Sequence, residues 1–500
     1  MESLRSHRRE AVALKETASS PVDRIVCSAL ERALSEQLYR AEVLRPYERQ
    51  AMAYLRLLAL GLLPFDLLGR DREKRHDKDH QQLLIGRLHD GLNWLAYARV
   101  RLDEGLLPTT PELIPGATRL QQATLELVEP WAEAAELGVQ AQIREAAERL
   151  ISALDELKAI VARPRTVQTQ GAKQSSPDPE TLLRDVFGLN QPLGWLTEQF
   201  CARAEASVRA LKALAEAGDA SNSTPVSLSR EGLTQRLLSA YYELRLTMIP
   251  LIGDPAAPAE IEPSSSLAAF LAPDALYVGK LMGLGDARLL VDLGPPHSSE
   301  ICLSVRSWAY LCVLLAHELC PGHHEHVVHG DALGFGWAMD VLESSVGLEG
   351  WGTYAETLLL SAAEALSANL QVPYSDLVIT AHLQRLRRLL SGLLWCVRHT
   401  QGQAAARRML DDFMRRIPQP EAARLQRWGW PALHYGVGLV WTEEALSQLG
   451  RTLTDRSACH ALYLSVGPLP PDLAVELSLH LRASGVGSAP PARQISERRS

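Results

Sequence analysis

The chain has 500 residues, 46% of them hydrophobic and 22% charged, a globular composition with material for a large core and about two to four domains. A net charge of −8 with a pI near 6.0 excludes a surface built to hold nucleic acid. Seven scattered cysteines, odd in number and without paired spacing, exclude a disulfide framework and fit reduced thiols in a cytoplasmic protein.

The first residues lack the apolar run of a secretory signal. No stretch reaches the roughly 18 uninterrupted apolar residues of a membrane span. Residues 55–68 come closest and are interrupted by Arg56, Pro64 and Asp66. A cytoplasmic protein with no membrane and no nucleic-acid partner is therefore expected.

Few aromatics and abundant Leu and Ala favour helix. Apolar spacing near 3.6 predicts amphipathic helices over 28–60, 81–103, 117–162, 195–216 and 230–247. The mixed-sign run 70–78 reads as a solvated connector. Residues 164–180 are polar and rich in breakers, and mark the boundary between an N-terminal helical region (1–163) and a second region (181–483). Residues 217–226 read as a loop, and 253–266, with Pro255, Pro258 and Pro263, as a segment wrapped over the surface. Next come three short strands at 276–280, 288–292 and 300–305, separated by Gly/Pro turns. Such a sheet serves either to stabilise the neighbouring helix or to hold an extended peptide along its edge. The tail 484–500 reads as disordered.

The chemistry concentrates after the strands. Residues 308–316 are almost wholly apolar, and His317-Glu-Leu-Cys-Pro-Gly-His-His324 comes directly after them. An ionisable cluster emerging from an apolar helix is costly to bury unless paired or metal-bound. Two histidines and a downstream Glu, Glu349, supply a three-ligand zinc site with an open position. The spacing departs from histidines one turn apart, because Pro321 stands where the second would be. Proline and Gly322 force the helix to kink or loosen over 319–322. On an unbroken helix His324 would lie about 10 Å from His317, too far for two ligands each at about 2 Å. With the helix opened, His323 is the first choice for second ligand and His324 the next.

The two clusters, His317-Glu-x-x-Pro-Gly-His-His324 and Glu349-Gly-Trp-Gly-Thr-Tyr-Ala-Glu356, resemble the domain of unknown function 885 family. Its members are bacterial, mostly helical proteins read as metallopeptidases. The second cluster is also similar to the Asn-Glu-Gly-Phe-Ala segment of gluzincin aminopeptidases, whose Glu is the third zinc ligand. The resemblance implies a mainly α, multi-helical, zincin-like fold with a small β-sheet before the metal-binding helix, and makes 181–483 the catalytic region. It also implies one Zn²⁺ per chain on His317, His323 or His324, and Glu349, and a peptide or amide substrate. It loosens over 385–399 and 431–438 and does not extend before about residue 270. Gly352 stands where the family usually has Ala, a departure read as harmless.

In this reading Glu318 is the general base, taking a proton from water and passing it to the leaving amine. Tyr354, Tyr435, Arg385 and Arg388 are candidates to donate to the oxyanion, with Tyr435 preferred. Glu356, on the helical face of Glu349, is placed to orient a ligand imidazole, and is the alternative third ligand. His326 and His329 read as surface residues beyond the break, Trp351 as core packing and Cys320 as a small hydrophobe. Two other readings use the same residues: a non-haem Fe(II) oxygenase and a catalytically inactive helical scaffold with a relic site. Substrate identity, exo- or endo-cleavage and oligomeric state are not legible in these motifs.

Overall fold

Leu and Ala recurring every three or four residues build helices over most of the chain. A computed structural model describes residues 2–41, 50–104, 107, 112–163, 179–217, 226–279, 287–293, 301–330, 344–428 and 431–484. Helices α1 (Glu2–Thr17) and α2 (Pro21–Tyr39) pair, Ser20 capping α2 through the N–H groups of Val22 and Asp23. Then come α3 (Ala51–Leu68), α4 (Lys78–Asp103), α5 (Leu113–Ala134) and α6 (Leu137–Ala162). The run 28–60 thus holds two helices, with 42–49 outside the described residues. The run 117–162 is likewise a pair, broken at extended Glu136 so that α5 and α6 cover each other's apolar stripes.

Helices α3–α6 share one core, in which Leu55, Leu62, Leu88, Leu120, Trp131 and Leu150 are almost wholly buried. By length and composition α3 is apolar enough to cross a membrane, yet half of it is buried inside this bundle.

The second part runs through α7 (Leu193–Glu216), β1 (Val226–Leu228), α8 (Arg230–Ile252), β2 (Glu260–Pro263), α9 (Ser266–Leu271), β3 (Ala275–Val278), β4 (Arg288–Val291) and β5 (Ile301–Leu303). It continues with α10 (Val305–Glu318), α11 (His323–Gly330), α12 (Ser345–Asn369), α13 (Tyr374–Gln401), α14 (Gln403–Arg416), α15 (Gln419–Trp428), α16 (Leu433–Gly450), α17 (Arg456–Ser465) and α18 (Pro471–Ala483). These helices enclose a larger core, and α2 joins it through Ile25 and Ala29. The Arg32 guanidinium forks onto Asp472 of α18, both bonds 2.6 Å. The first two helices therefore pack with the last one, while α3–α6 form the separate bundle. The fold is mainly α with small sheets.

All three predicted strands form, but they are divided between two sheets. β5 pairs antiparallel with β1, and β3 pairs antiparallel with β4. The other neighbour of β4 is β2, in parallel, Ile261 opposite Leu289. The segment 253–266 is therefore not merely a surface wrap: Ile261 and Ala256 are buried, because the strand's backbone groups are satisfied on β4. Alternation along β4 sends Leu289 and Val291 into the larger core and Leu290 into the α3–α6 core. The three-stranded sheet is the layer between the two cores.

Candidate metal centre

Helix α10 stops at Glu318. Leu319, at φ −115° and ψ −86°, leaves the helix, and a cis Cys320–Pro321 bond with Gly322 completes the turn into α11. A β-carbon on Gly322 would fall 1.7 Å from the His317 carbonyl oxygen, so only glycine lets the chain fold back this tightly. The indole N–H of buried Trp351 on α12 donates to the Pro321 carbonyl at 2.6 Å and fastens the turn from behind. The break is complete, not a kink, and it places the rings of His317 and His323 4.5 Å apart.

Glu349, in the first turns of α12, completes the group. Its Oε2 lies 3.3 Å from Nε2 of His317 and 3.5 Å from Nε2 of His323. Neither imidazole meets that buried oxygen with hydrogen-bond geometry, and Nδ1 of His323 is likewise without a hydrogen-bond partner among the described residues. One donor atom from each of His317, Glu318 and His323 also lies within 4.8 Å of the others. The two imidazoles thus face two carboxylates, Glu349 at 3.3 and 3.5 Å and Glu318 in the group within 4.8 Å, a donor set that suits a cation.

Nδ1 of His317 lies 3.0 Å from Glu356, and Glu356 is in turn paired with Arg388. All three are buried. Glu356 thus stands against Nδ1 of the His317 ring, which makes no hydrogen bond among the described residues. Burial and Arg388 both push the His317 imidazole toward its neutral form, but Glu349 and Glu356 outweigh them and raise its pKa to about 9. Burial opposes ionisation of Glu349 and Glu356. The two imidazoles nevertheless hold Glu349 well below the usual carboxylate range, and Arg388 with His317 lowers Glu356. Three carboxylates face one guanidinium here, a balance that favours bound positive charge. Half-buried Glu318 differs: burial raises its pKa, so it gives up its proton less readily.

Tyr435, near the start of α16, stacks on the His317 ring with centroids 6.2 Å apart, and Arg388 lies over its face at 5.2 Å. Burial, then the Glu349 charge, pushes its hydroxyl pKa above the ordinary value, so it remains a proton donor. Helix α16 can reach this position because Gly438 meets Gly350 of α12 at the helix crossing.

Several sequence candidates lie elsewhere. Both ring nitrogens of His324 are engaged, Nδ1 with the Tyr277 hydroxyl at 3.0 Å and Nε2 with the Ala257 carbonyl at 2.5 Å. It fastens β3 and the segment before β2 to α11, and the geometry selects His323 for the cluster. Tyr354 points away from the imidazole pair and bonds His460 at 2.9 Å and Arg456 at 3.3 Å, because it lies on the opposite face of α12 from Glu349 and Glu356. Arg385 is tied to Thr357 and Glu443. His326 is not a surface residue: α11 turns back into the core and packs it between Trp351 and Tyr463, at 5.6 and 5.7 Å. His329 is half-buried, 3.3 Å from buried Glu325.

Gly352 was the least expected contributor. A β-carbon there would lie 2.6 Å from Cε1 of His323 and 2.8 Å from Cε1 of His317. The departure read as harmless in fact leaves the space that both rings occupy. No one-dimensional signal marks this, since it arises where α12 passes under two other segments. Tyr277 and His460, the partners of His324 and Tyr354, were also missed.

No family model and no curated protein matches the sequence. Among solved structures, the chain is similar to the "putative lipoprotein" from Colwellia psychrerythraea, with a TM-score of 0.58 at 15% identity over 82% of this chain and 77% of that one. At this identity the likeness is one of fold.

Proposed function

We propose that the protein is a zinc-dependent hydrolase of peptide or amide bonds, with a zincin-like catalytic region and membership of the domain of unknown function 885 family. The observation that carries the reading is the gathering of His317, His323 and Glu318 ligand atoms within 4.8 Å of one another, with Glu349 Oε2 3.3 and 3.5 Å from the two imidazoles. His317, His323 and Glu349 would hold the ion. A bound zinc supplies Lewis acidity, polarising the scissile carbonyl and lowering the pKa of water from about 15.7 toward about 7.

The remaining work falls to the chain. Glu318, adjacent to the ligand set and partly open to solvent, takes a proton from the attacking water and delivers it to the leaving amine. Its raised pKa suits the second of those transfers. Tyr435 keeps its proton and donates to the oxygen that gains charge in the transition state. Glu356 fixes the His317 tautomer and Arg388 holds Glu356 ionised. All seven cysteines are free, compatible with the cytoplasmic location we propose.

Metal content by mass spectrometry, parent beside Glu349→Ala, tests the site. About one zinc per chain in the parent and far less in the variant is expected. Equal metal in both would remove Glu349 from the ligand set, and iron in place of zinc would favour oxygenase chemistry. A peptide library incubated with parent and Glu318→Gln then tests the reaction, which only the parent should perform.

A further inference from the structure

One side of α10 leads away from the imidazole pair. Ala309, Cys312, Val313, Ala316 and His317 are buried, whereas Ser307, Tyr310, Leu311, Leu314 and Glu318 are exposed or half-buried. Ser307, Leu311, Leu314 and Glu318 recur at steps of four, three and four, with Tyr310 beside Leu311, so they form one partly accessible stripe ending beside the ligands at Glu318. At its other end the stripe enters a cavity of about 900 Å³ lined by Arg306, Ser307, Tyr310, Arg424, Gln426 and Arg427, among others.

That cavity is built for negative charge. Three guanidinium groups line it, and no carboxylate does among the described residues. Two buried carboxylates hold the guanidiniums from behind: Arg306 lies 3.3 Å from Asp376 and 3.0 Å from Glu421, and Arg424 lies 3.2 Å from Glu421. Arg424 is only 8% exposed, so its position is set by the fold. Arg427 stands exposed at the rim. Asp274, accepting from the Tyr310 hydroxyl at 2.8 Å, is a third carboxylate at the cavity's edge. The exposed fork of Arg427, with no ion pair among the described residues, is therefore the one open to a further carboxylate beside the fixed forks of Arg306 and Arg424.

The spacing then describes a ligand. From Tyr310 or Ser307 to Glu318 is about 12 to 16 Å along the helix. An extended peptide covers about 3.3–3.6 Å per residue, so that distance is about three to five residues. Resting on the hydrolase reading above, we propose that the substrates are short peptides or peptide-like amides with a carboxylate three to five residues from the bond cleaved. The carboxylate seats among Arg306, Arg424 and Arg427, and the chain lies along the accessible stripe of α10. A free C-terminus and an acidic side chain offer the same group.

The test uses the full chain and three series of N-acetylated alanine peptides of graded length: free acids, C-terminal amides, and amides with one Glu at stepped positions. Binding is read by calorimetry and cleavage by mass spectrometry. Free acids or Glu-containing amides of matching length should bind about tenfold tighter than neutral amides. Preference for the free acid assigns the terminal carboxylate, and preference for the Glu amide the side chain; either supports the cavity. Arg427→Ala, at an exposed position, and Arg424→Met should abolish the preference, while Glu318→Gln should keep it. Binding indifferent to the carboxylate, no binding by any series, or a preference that survives both arginine variants overturns the proposal. Carboxylate-selective binding without cleavage upholds the cavity and sinks the peptidase reading instead.

Discussion

Gly352 and His323 are in closest-approach contact: a single β-carbon on the first would lie 2.6 Å from Cε1 of the second. Helix α12 therefore contributes to the site by what it omits as well as by Glu349. Gly352→Ala should displace the His323 ring and weaken zinc binding by about tenfold or more, with helix content unchanged. Chelator competition on parent and variant measures this. Parental affinity in the Ala variant would show that the rings yield without cost.

Glu356 acts through His317. Glu356→Gln keeps the shape but loses the charge that fixes the ring, and should lower zinc affinity or turnover by about 10–100-fold. Glu349→Gln, at a ligand position, should do worse. The order of the two variants in a zinc-buffer titration is the critical result; the reverse order would exchange their roles.

Tyr435→Phe keeps the ring stacked on His317 and removes only the donor. A fall in kcat of about 10²–10³ with little change in KM is expected of a lost oxyanion contact. A change confined to KM would instead mean that the hydroxyl binds the ground state.

Stability should fall in mild acid. Burial lowers the pKa of His326 to about 3 and that of His460 to about 4, and both side chains are buried. In the unfolded chain each binds a proton below about 6.5. The unfolded state then carries the extra protons, so the contribution of these two histidines is complete above about pH 6.5 and drains away toward about pH 4, by about 1.4 kcal/mol per pH unit for each. Urea unfolding between these limits reads the slope, and His460→Gln should make it shallower. A slope identical in parent and variant would show that His460 does not contribute.

Leu290 joins the sheet to the α3–α6 bundle. Leu290→Ala should cost about 2–5 kcal/mol, the range for a buried leucine. Chemical denaturation followed by tryptophan fluorescence tests it; a cost below about 1 kcal/mol would mean that the two cores are not coupled through β4.

Much of this was legible in one dimension. The helical character, the three strands and the metal-site vocabulary all come from local patterns: apolar periodicity, short apolar segments between Gly/Pro turns, and two short motifs. The helix break could be read from Pro321 and Gly322, since a missing donor and a tight turn are local facts. β2 was not legible, because Pro255, Pro258 and Pro263 signal a loop and only pairing with β4 makes Glu260–Pro263 a strand. His326 was misplaced for a similar reason: nothing local distinguishes a helix that leaves the core from one that turns back into it.

The sequence by itself determined which groups are able to do chemistry and that they sit at the end of an apolar helix. Tertiary structure decided which of them meet. His323 and His324 are chemically identical neighbours, yet consecutive helical positions point about 100° apart. One therefore faces Glu349 while the other is tied to Tyr277 and Ala257. The same rotation turns Glu349 and Glu356 toward His317 and carries Tyr354 to His460. Residue type is a property of one position, but direction depends on the helix that carries it and on what that helix packs against.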